Sequence, residues 1–372
     1  MKNSIIALAA IMVLFVLDFY GQQNVIQQQQ QQPDMPIDAA TKAQIINDLT
    51  KELNESYVFA DVAKKMETDV KQRLQSREYD KITSSREFAD KLTQDLQAVS
   101  KDKHLRVRFS PERIPVRQDN REPSKEELEN QKRFVRQINF GFEKIERLQG
   151  NIGYIDLRGF SDAEQGVETV AAAMTFLSNT DALIIDLRQN GGGSPEMVAL
   201  ISSYLFGEKP VHLNSLYWRK GDKTEEFWTK ANVAGKRYGE TKDVFVLTSN
   251  RTFSAGEEFT YNLKNLKRAT IIGETTGGGA HPGGVFRIND HFGVFVPSGR
   301  AISPITKTNW EGTGVEPDVK VSKELALKTA YALALNKVAD KTPDEQRKKA
   351  LKEMADKMQK ELDEMKKVAK TN

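Results

Sequence analysis

Three short runs combine residue types that serve acyl transfer. In Thr248-Ser249-Asn250-Arg251-Thr252-Phe253-Ser254-Ala255-Gly256-Glu257-Glu258-Phe259, Ser254 stands where a strand-like run gives way to a helical pattern. Its hydroxyl would lie beside the unpaired amides of a first helical turn, whose dipole favours a developing oxyanion. The same string also reads as a helix cap, because Ser is a preferred N-cap and Glu257 completes a capping-box pattern. In Asp186-Leu187-Arg188-Gln189-Asn190-Gly191-Gly192-Gly193, three glycines follow a buried strand and leave amides open to an anion. An ordinary strand-to-helix turn would look the same. A nucleotide cradle does not fit, since neither Gly-x-x-x-x-Gly-Lys-Ser/Thr nor Gly-x-Gly-x-x-Gly is present. In Asn309-Trp310-Glu311-Gly312-Thr313-Gly314-Val315-Glu316-Pro317-Asp318, Glu311 is placed either to orient a histidine or to remain a solvated loop charge.

A serine hydroxyl needs a base to take its proton, and the chain has only four histidines. His212 lies in a strand-like run and His291 in a hairpin-like turn, both structural settings. His281, in Gly277-Gly278-Gly279-Ala280-His281-Pro282-Gly283-Gly284, sits on a loop able to line a cleft. His104 falls between a third helix and a strand, ordinarily a surface position. With 0 cysteines, thiol nucleophiles, thiolate metal sites and disulfide scaffolds are excluded. No His-Glu-x-x-His or clustered ligand spacing occurs, so no metal and no cofactor are expected. The formal net charge of +3 gives no reason to expect a nucleic-acid partner.

The elements that must carry these residues are legible in the hydrophobic pattern. Residues 1–21 have a basic start, 13 apolar residues from Ile5 to Leu17 and small Gly21, the pattern of a signal peptide. That run is too short for a bilayer span, so no stable membrane span is expected after leader removal. The glutamine-rich residues 22–38 read as a disordered tether. Stripes at Ile45, Ile46, Leu49, Leu53, at Val62, Met66, Val70, Leu74 and at Phe88, Leu92, Leu96, Val99 predict three amphipathic helices, a helical N-terminal subdomain over 39–110. Residues 111–139, charged and carrying Pro111, Pro115 and Pro123, read as a linker. From Phe140 strands (Ile152 to Leu157, Ala182 to Leu187, Val244 to Thr248, Thr270 to Gly273) alternate with helices (Gly166 to Leu177, Met197 to Leu205, Ala255 to Leu266). Consecutive apolar strand residues predict an α/β core at 140–320 with a mainly parallel sheet covered on both faces. Residues 321–372 read as a helical extension whose stripe Leu351, Met354, Met358, Leu362, Met365 packs on its own domain.

Taken in order, the Asp-Leu-Arg-x-Asn-x-Gly-Gly run, the entry to Ser254, Gly273-Glu274-Thr275-Thr276-Gly277-Gly278-Gly279 and the Gly-Val-Glu-Pro-Asp ending resemble the carboxyl-terminal processing (tail-specific) serine peptidases. Their relatives include the tricorn core protease and the interphotoreceptor retinoid-binding protein modules. The resemblance covers roughly Asn151 to Lys320 and, more loosely, the helical region before it. It implies a ClpP/crotonase-like βαβ core. The family's Ser/Lys version places its lysine where this chain has Gly278. The tricorn-like version resembles a histidine from the N-terminal region, the serine and a glutamate nearly sixty positions later. His104 and Glu311, the latter 57 positions after Ser254, stand at the matching places. The stretch from Ser110 to Asn151 is too short for the family's embedded PDZ module.

The resemblance implies a serine endopeptidase of the bacterial envelope, periplasmic or secreted, acting on a protein or peptide. Ser254 would be the nucleophile, His104 the base and Glu311 its orienting acid. Ala255 with an amide from Gly191 to Gly193, Gly191 or Gly192 first among them, would form the oxyanion hole. Because the reference imidazole pKa is about 6.5, activity is expected to fall below roughly pH 6 unless Glu311 moves that limb upward. The alternatives are a noncatalytic module binding an apolar ligand or peptide, and a hydrolase of small esters or amides.

Overall fold

Residues repeating every three or four positions bury one stripe of each N-terminal helix, and consecutive apolar residues form the central strands that follow. The computed structural model describes residues 33–116 and 124–371, so the leader at 1–21 and the glutamine run lie outside the described residues. In chain order the elements are α1 (Ala39–Ser56), α2 (Ala60–Gln75), α3 (Ser85–Ser100), β1 (Arg106–Phe109), α4 (Lys125–Gln137), β2 (Phe142–Leu148), β3 (Ile152–Leu157), α5 (Ala163–Leu177), β4 (Ala182–Asp186), α6 (Pro195–Ser203), β5 (His212–Trp218), β6 (Lys223–Trp228), β7 (Asp243–Thr248), α7 (Ala255–Asn265), β8 (Thr270–Gly273), β9 (Gly283–Arg287), β10 (Phe292–Pro297), β11 (Gly299–Ile302), β12 (Val319–Lys320), α8 (Lys323–Lys341) and α9 (Glu345–Thr371). Helix α4 lies within the stretch expected as a linker. The chain divides into two units: Met1–Glu127, Ser215–Glu225 and Gly279–Ile302 form the first, and Leu128–Asn214, Glu226–Gly278 and Ser303–Asn372 the second.

In the first unit α1, α2 and α3 share a core of Ile45, Ile46, Leu49, Met66, Phe88 and Leu92. Two of these helices start on side-chain caps: Asp38 accepts from Thr41 N–H at 2.7 Å and Ser84 from Glu87 N–H at 3.0 Å. Lys101, in the left-handed region at φ 60°, ends α3 and turns the chain toward β1. Strand β1 pairs antiparallel with β10, and β10 with β9. Phe292, Val294 and Val296 alternate into the helical core, the period-2 pattern of a strand with one buried face. The strand expected after His104 is β1, and the hairpin-like turn at His291 joins β9 to β10.

The second unit is built on a six-stranded sheet in the order β12-β8-β7-β4-β3-β2. All its pairs are parallel except the antiparallel edge pair β2-β3. Leu183 and Ile185 face α5, α6 and α7, whereas Ala182 and Ile184 face α8 and α9. Burial on both faces is why the strand reads as an unbroken apolar run. Ala326, Ala330 and Ala334 recur every four residues on α8, so a stripe of small side chains lies on the sheet. Leu351 and Leu362 of α9 are buried, and Met354 and Met358 pack beside the same core. The fold is mixed α/β with a mostly parallel central sheet and a helical N-terminal region. Among the described residues no helix is long and apolar enough to cross a membrane.

Leu92 is fully buried in the first unit. Its replacement in Leu92→Ala is expected to lower the unfolding free energy by about 2–5 kcal/mol, measured by urea denaturation of the full chain.

Candidate active site

Ser254 ends the turn between β7 and α7 with φ 54° and ψ −121°, a conformation rarely adopted by a residue with a side chain. The Ser254–Glu257 pair has the outline of a capping box, yet the amide of Glu257 donates to the Ser254 carbonyl at 2.9 Å. The carboxylate half is realised: Ser254 N–H donates to Glu257 Oε2 at 3.0 Å. The turn is stitched to the glycine run after β4. Ser249 Oγ donates to the Arg188 carbonyl at 2.6 Å, Thr252 Oγ1 to the Leu187 carbonyl at 2.7 Å, and Phe253 N–H to the Asn190 carbonyl at 3.0 Å.

The glycine run is ordered by its own polar residues. Asn190, fully buried, donates Nδ2 to the Leu157 carbonyl at 2.9 Å and accepts Gly192 N–H on Oδ1 at 2.9 Å. Asp186 accepts from Tyr154 Oη at 2.9 Å and Arg188 Nε at 2.9 Å, so the acid and base of Asp-Leu-Arg hold each other and the strand end. Gly192 at φ 111° lies against the serine: a Cβ there would meet Ser254 Cβ at 2.7 Å and Ala255 N at 3.1 Å. Gly193 at φ 137° passes Phe160 so closely that a Cβ would meet its carbonyl oxygen at 1.9 Å. These are positions only glycine fits. Since Gly192 N–H is engaged by Asn190, Gly191 and Gly193 are the glycines whose amides take no acceptor among the described residues. Ala255 N–H is a first-turn amide with no partner inside its helix.

Glu257 is fully buried, and the carboxylate that meets Ser254 N–H on one oxygen serves the next loop with the other. Its Oε1 accepts from Thr276 Oγ1 at 2.5 Å and Gly278 N–H at 2.6 Å. Thr276 Oγ1 accepts Val315 N–H at 2.6 Å, and the Gly278 carbonyl accepts Gly312 N–H at 3.1 Å. A continuous hydrogen-bonded chain therefore runs from Ser254 through Glu257 to the loop bearing Glu311. Buried Trp310, against Tyr261 at 5.3 Å, and the bond from Glu311 N–H to Asn309 Oδ1 at 3.0 Å fix that loop further. Within the second unit the turn of Ser254 and Ala255, the glycine run and the loop bearing Glu311 are thus bonded to one another. Sequence reasoning gave Glu257 a capping role and missed its bonds to Thr276 and Gly278, 19 and 21 residues on, which only the tertiary fold reveals.

His104 belongs to the first unit, on the loop between α3 and β1, and is not the surface residue its local string suggests. It is 6% exposed, and its ring stacks on Phe295 at 5.8 Å. Burial holds its pKa down at about 4; the Asp102 charge works against this, while His281 and Arg106 add to it. Asp102, unremarked in the sequence, is 1% exposed and accepts His104 N–H on Oδ1 at 3.0 Å. The Asp-x-His spacing, which suits a carboxylate bonding the amide two residues on, is the signal that could have found it. His212 and His291 bond backbone carbonyls, of Asn214 at 3.2 Å and of Ser110 at 3.0 Å, in keeping with structural settings.

The fold and this arrangement of loops place the chain among known proteins. The profile of peptidase family S41 matches residues 151–321, and that of the N-terminal domain of peptidase S41 in eukaryotic IRBP matches residues 39–143. Between them they take up well over half of the chain, which belongs to peptidase family S41. It is 26% identical over 183 residues to carboxyl-terminal-processing peptidase 1, chloroplastic, of Arabidopsis thaliana, covering 49% of this chain and 36% of that protein. It is 31% identical over 133 residues to the carboxy-terminal processing protease CtpA of Bacillus subtilis, covering 36% of this chain and 27% of that protein. The matches thus span about a third of the length of these curated relatives. The crystal structure of a candidate peptidase from Parabacteroides merdae has the same fold, with TM-score 0.52 and 20% identity over 76% of this chain and 90% of that one.

Glu258, beside the bridging acid, points elsewhere and is 4% exposed. Burial pushes its carboxyl up to about 8; Asn214 and Asn262 draw it partly back, and the Glu196 charge adds to the rise. A folded-state value above the unfolded one stabilises the fold fully below about pH 4.5, and that contribution is lost as pH rises through about 8. The loss amounts to as much as about 5 kcal/mol. Wild-type protein is therefore expected to lose stability between pH 5 and 8, whereas Glu258→Gln flattens that slope in urea melts across the range.

Proposed function

We propose that the chain is a serine peptidase in which Ser254 attacks a peptide carbonyl, His104 takes its proton, and Glu311 orients the imidazole. The observation that carries this reading is the backbone of Ser254: a positive φ at a helix N-terminus, held by Glu257 and packed against Gly192. Such a turn projects a hydroxyl away from the sheet and beside open amides, the geometry of a nucleophile elbow. Ala255 N–H and one of the amides of Gly191 and Gly193 would hold the oxyanion; Gly192, whose amide serves Asn190, is better suited to shaping the turn. Collapse of the tetrahedral intermediate breaks the C–N bond as His104 gives its proton to the leaving amine. Water then attacks the acyl-enzyme, giving up a proton to His104, and the serine leaves with it. The relatives' names support a protein or peptide substrate, and the leader pattern at 1–21 supports export.

Casein hydrolysis by wild type, Ser254→Ala and His104→Ala tests the assignment. Both variants are expected to lose at least about 1000-fold in rate, and a fluorophosphonate probe to label the wild type but not Ser254→Ala. Equal activity in all three proteins would reject it.

The pH profile tests the base separately. With its pKa at about 4, His104 is neutral, and competent to accept a proton, at lower pH than the limb near 6 expected from an unperturbed imidazole. Initial rates between pH 4 and 8 should hold down to about pH 5. A limb centred near 6.5 would mean that the titrating base is not an imidazole held down by this burial.

A further inference from the structure

Inside the first unit a second imidazole shares a carboxylate with His104. Asp102 Oδ2 lies 2.8 Å from His281 Nδ1 and accepts from Tyr57 Oη at 3.2 Å, while Oδ1 holds the His104 amide at 3.0 Å. The Nδ1-protonated tautomer of His281 is the one that can donate to this carboxylate. His281 is 6% exposed, and its ring meets the face of Phe59 edge-on at 5.4 Å. A neutral side chain could tie down this loop without the desolvation that a buried carboxylate costs. Using Asp102 instead places a charge and a titratable ring beside His104, where low polarity strengthens their fields.

We infer that Asp102 and His281 form a positioning pair for His104, fixing its backbone through one carboxylate oxygen and setting the field around its ring through the other. The inference rests on the reading of His104 as the base, and it gives the two residues opposite effects. Within the first unit, the groups that act on the His104 ring include Asp102 and Arg106 on its own loop and strand and His281 from the 279–283 stretch, and β10 offers the uncharged face of Phe295. Asp102 favours the protonated ring, whereas His281 and Arg106 disfavour it. Neither residue of the pair is assigned contact with substrate.

The test follows the histidine resonances of full-length, isotopically labelled Ser254→Ala protein through a pH titration, so that it does not depend on turnover. His281→Asn, which keeps an N–H for Asp102 but removes the ring, is expected to raise the His104 midpoint. Asp102→Asn, which keeps an acceptor for the His104 amide but removes the charge, is expected to keep His104 neutral to lower pH than in the parent. Unchanged midpoints, or shifts in the same direction, overturn the inference; should Asp102→Asn not fold, the His281→Asn shift decides alone. In the Ser254 background, His281→Asn should lower kcat with little change in KM and retain more activity than His281→Ala. Loss of the proposed peptidase function would appear instead as inactive wild-type protein with both midpoint shifts intact.

Discussion

The second unit depends on a carboxylate with no access to water. Glu257 lies one helical turn after Ser254 and joins the serine's amide to Thr276 and Gly278. Burying such a group is unfavourable unless its oxygens are matched by donors, and here three donors from two chain segments converge on it. The cost of an unmatched acid makes the arrangement cooperative: the loop after β8 cannot drift without stranding the carboxylate, and the serine turn cannot relax without the same penalty. The loop bearing Glu311 is carried along through Thr276 and Gly278.

That cooperativity explains how Ser254 holds its backbone. A positive φ outside glycine costs of order 1–3 kcal/mol and persists only where surrounding structure over-determines it. The restraints are visible on both sides of the residue. Before it, Ser249, Thr252 and Phe253 are bonded to the 187–190 segment; after it, Glu257 returns to its amide. Gly192 and Gly256 supply close approach, since a Cβ on Gly256 would meet Asn190 Oδ1 at 2.8 Å. The strain therefore belongs to the packing of two loops against each other, and is not a property of the serine alone.

How much of this was legible depended on the range over which each signal acts. The strand-helix alternation was readable because burial on both sheet faces leaves runs such as Leu183-Ile184-Ile185, and the N-terminal helices because each buries one stripe. Ser254 and the glycine run were visible as candidates, but their local strings also described a cap and a plain turn. His104 and Glu311 rose above their surroundings through resemblance, since nothing in a loop histidine or a loop glutamate announces its environment. Glu257 and Glu258 are neighbours with the same chemistry, yet one bridges two loops and the other is driven toward its neutral form by burial. Only the rotation of α7 against its neighbours distinguishes them. Asp102 had a local signal in its spacing to His104, but its side-chain partners, Tyr57 and His281, are far away in sequence.

The glycine at 278 is set by the loop it touches. Its φ is 84°, and a Cβ there would lie 3.0 Å from Gly314 N and 3.1 Å from the Gly312 carbonyl carbon. The space into which a side chain would leave this position is filled by the backbone of the loop bearing Glu311, and the Gly278 carbonyl is already bonded to it. Any side chain at 278 would have to adopt a left-handed conformation and press the facing loop back by a few tenths of an ångström. The left-handed backbone at Gly278 and the close approach of the Glu311 loop therefore go together, and a side chain at 278 would strain both. The demand for glycine at 278 thus comes from loop packing that reaches back, through Glu257, to the turn of Ser254.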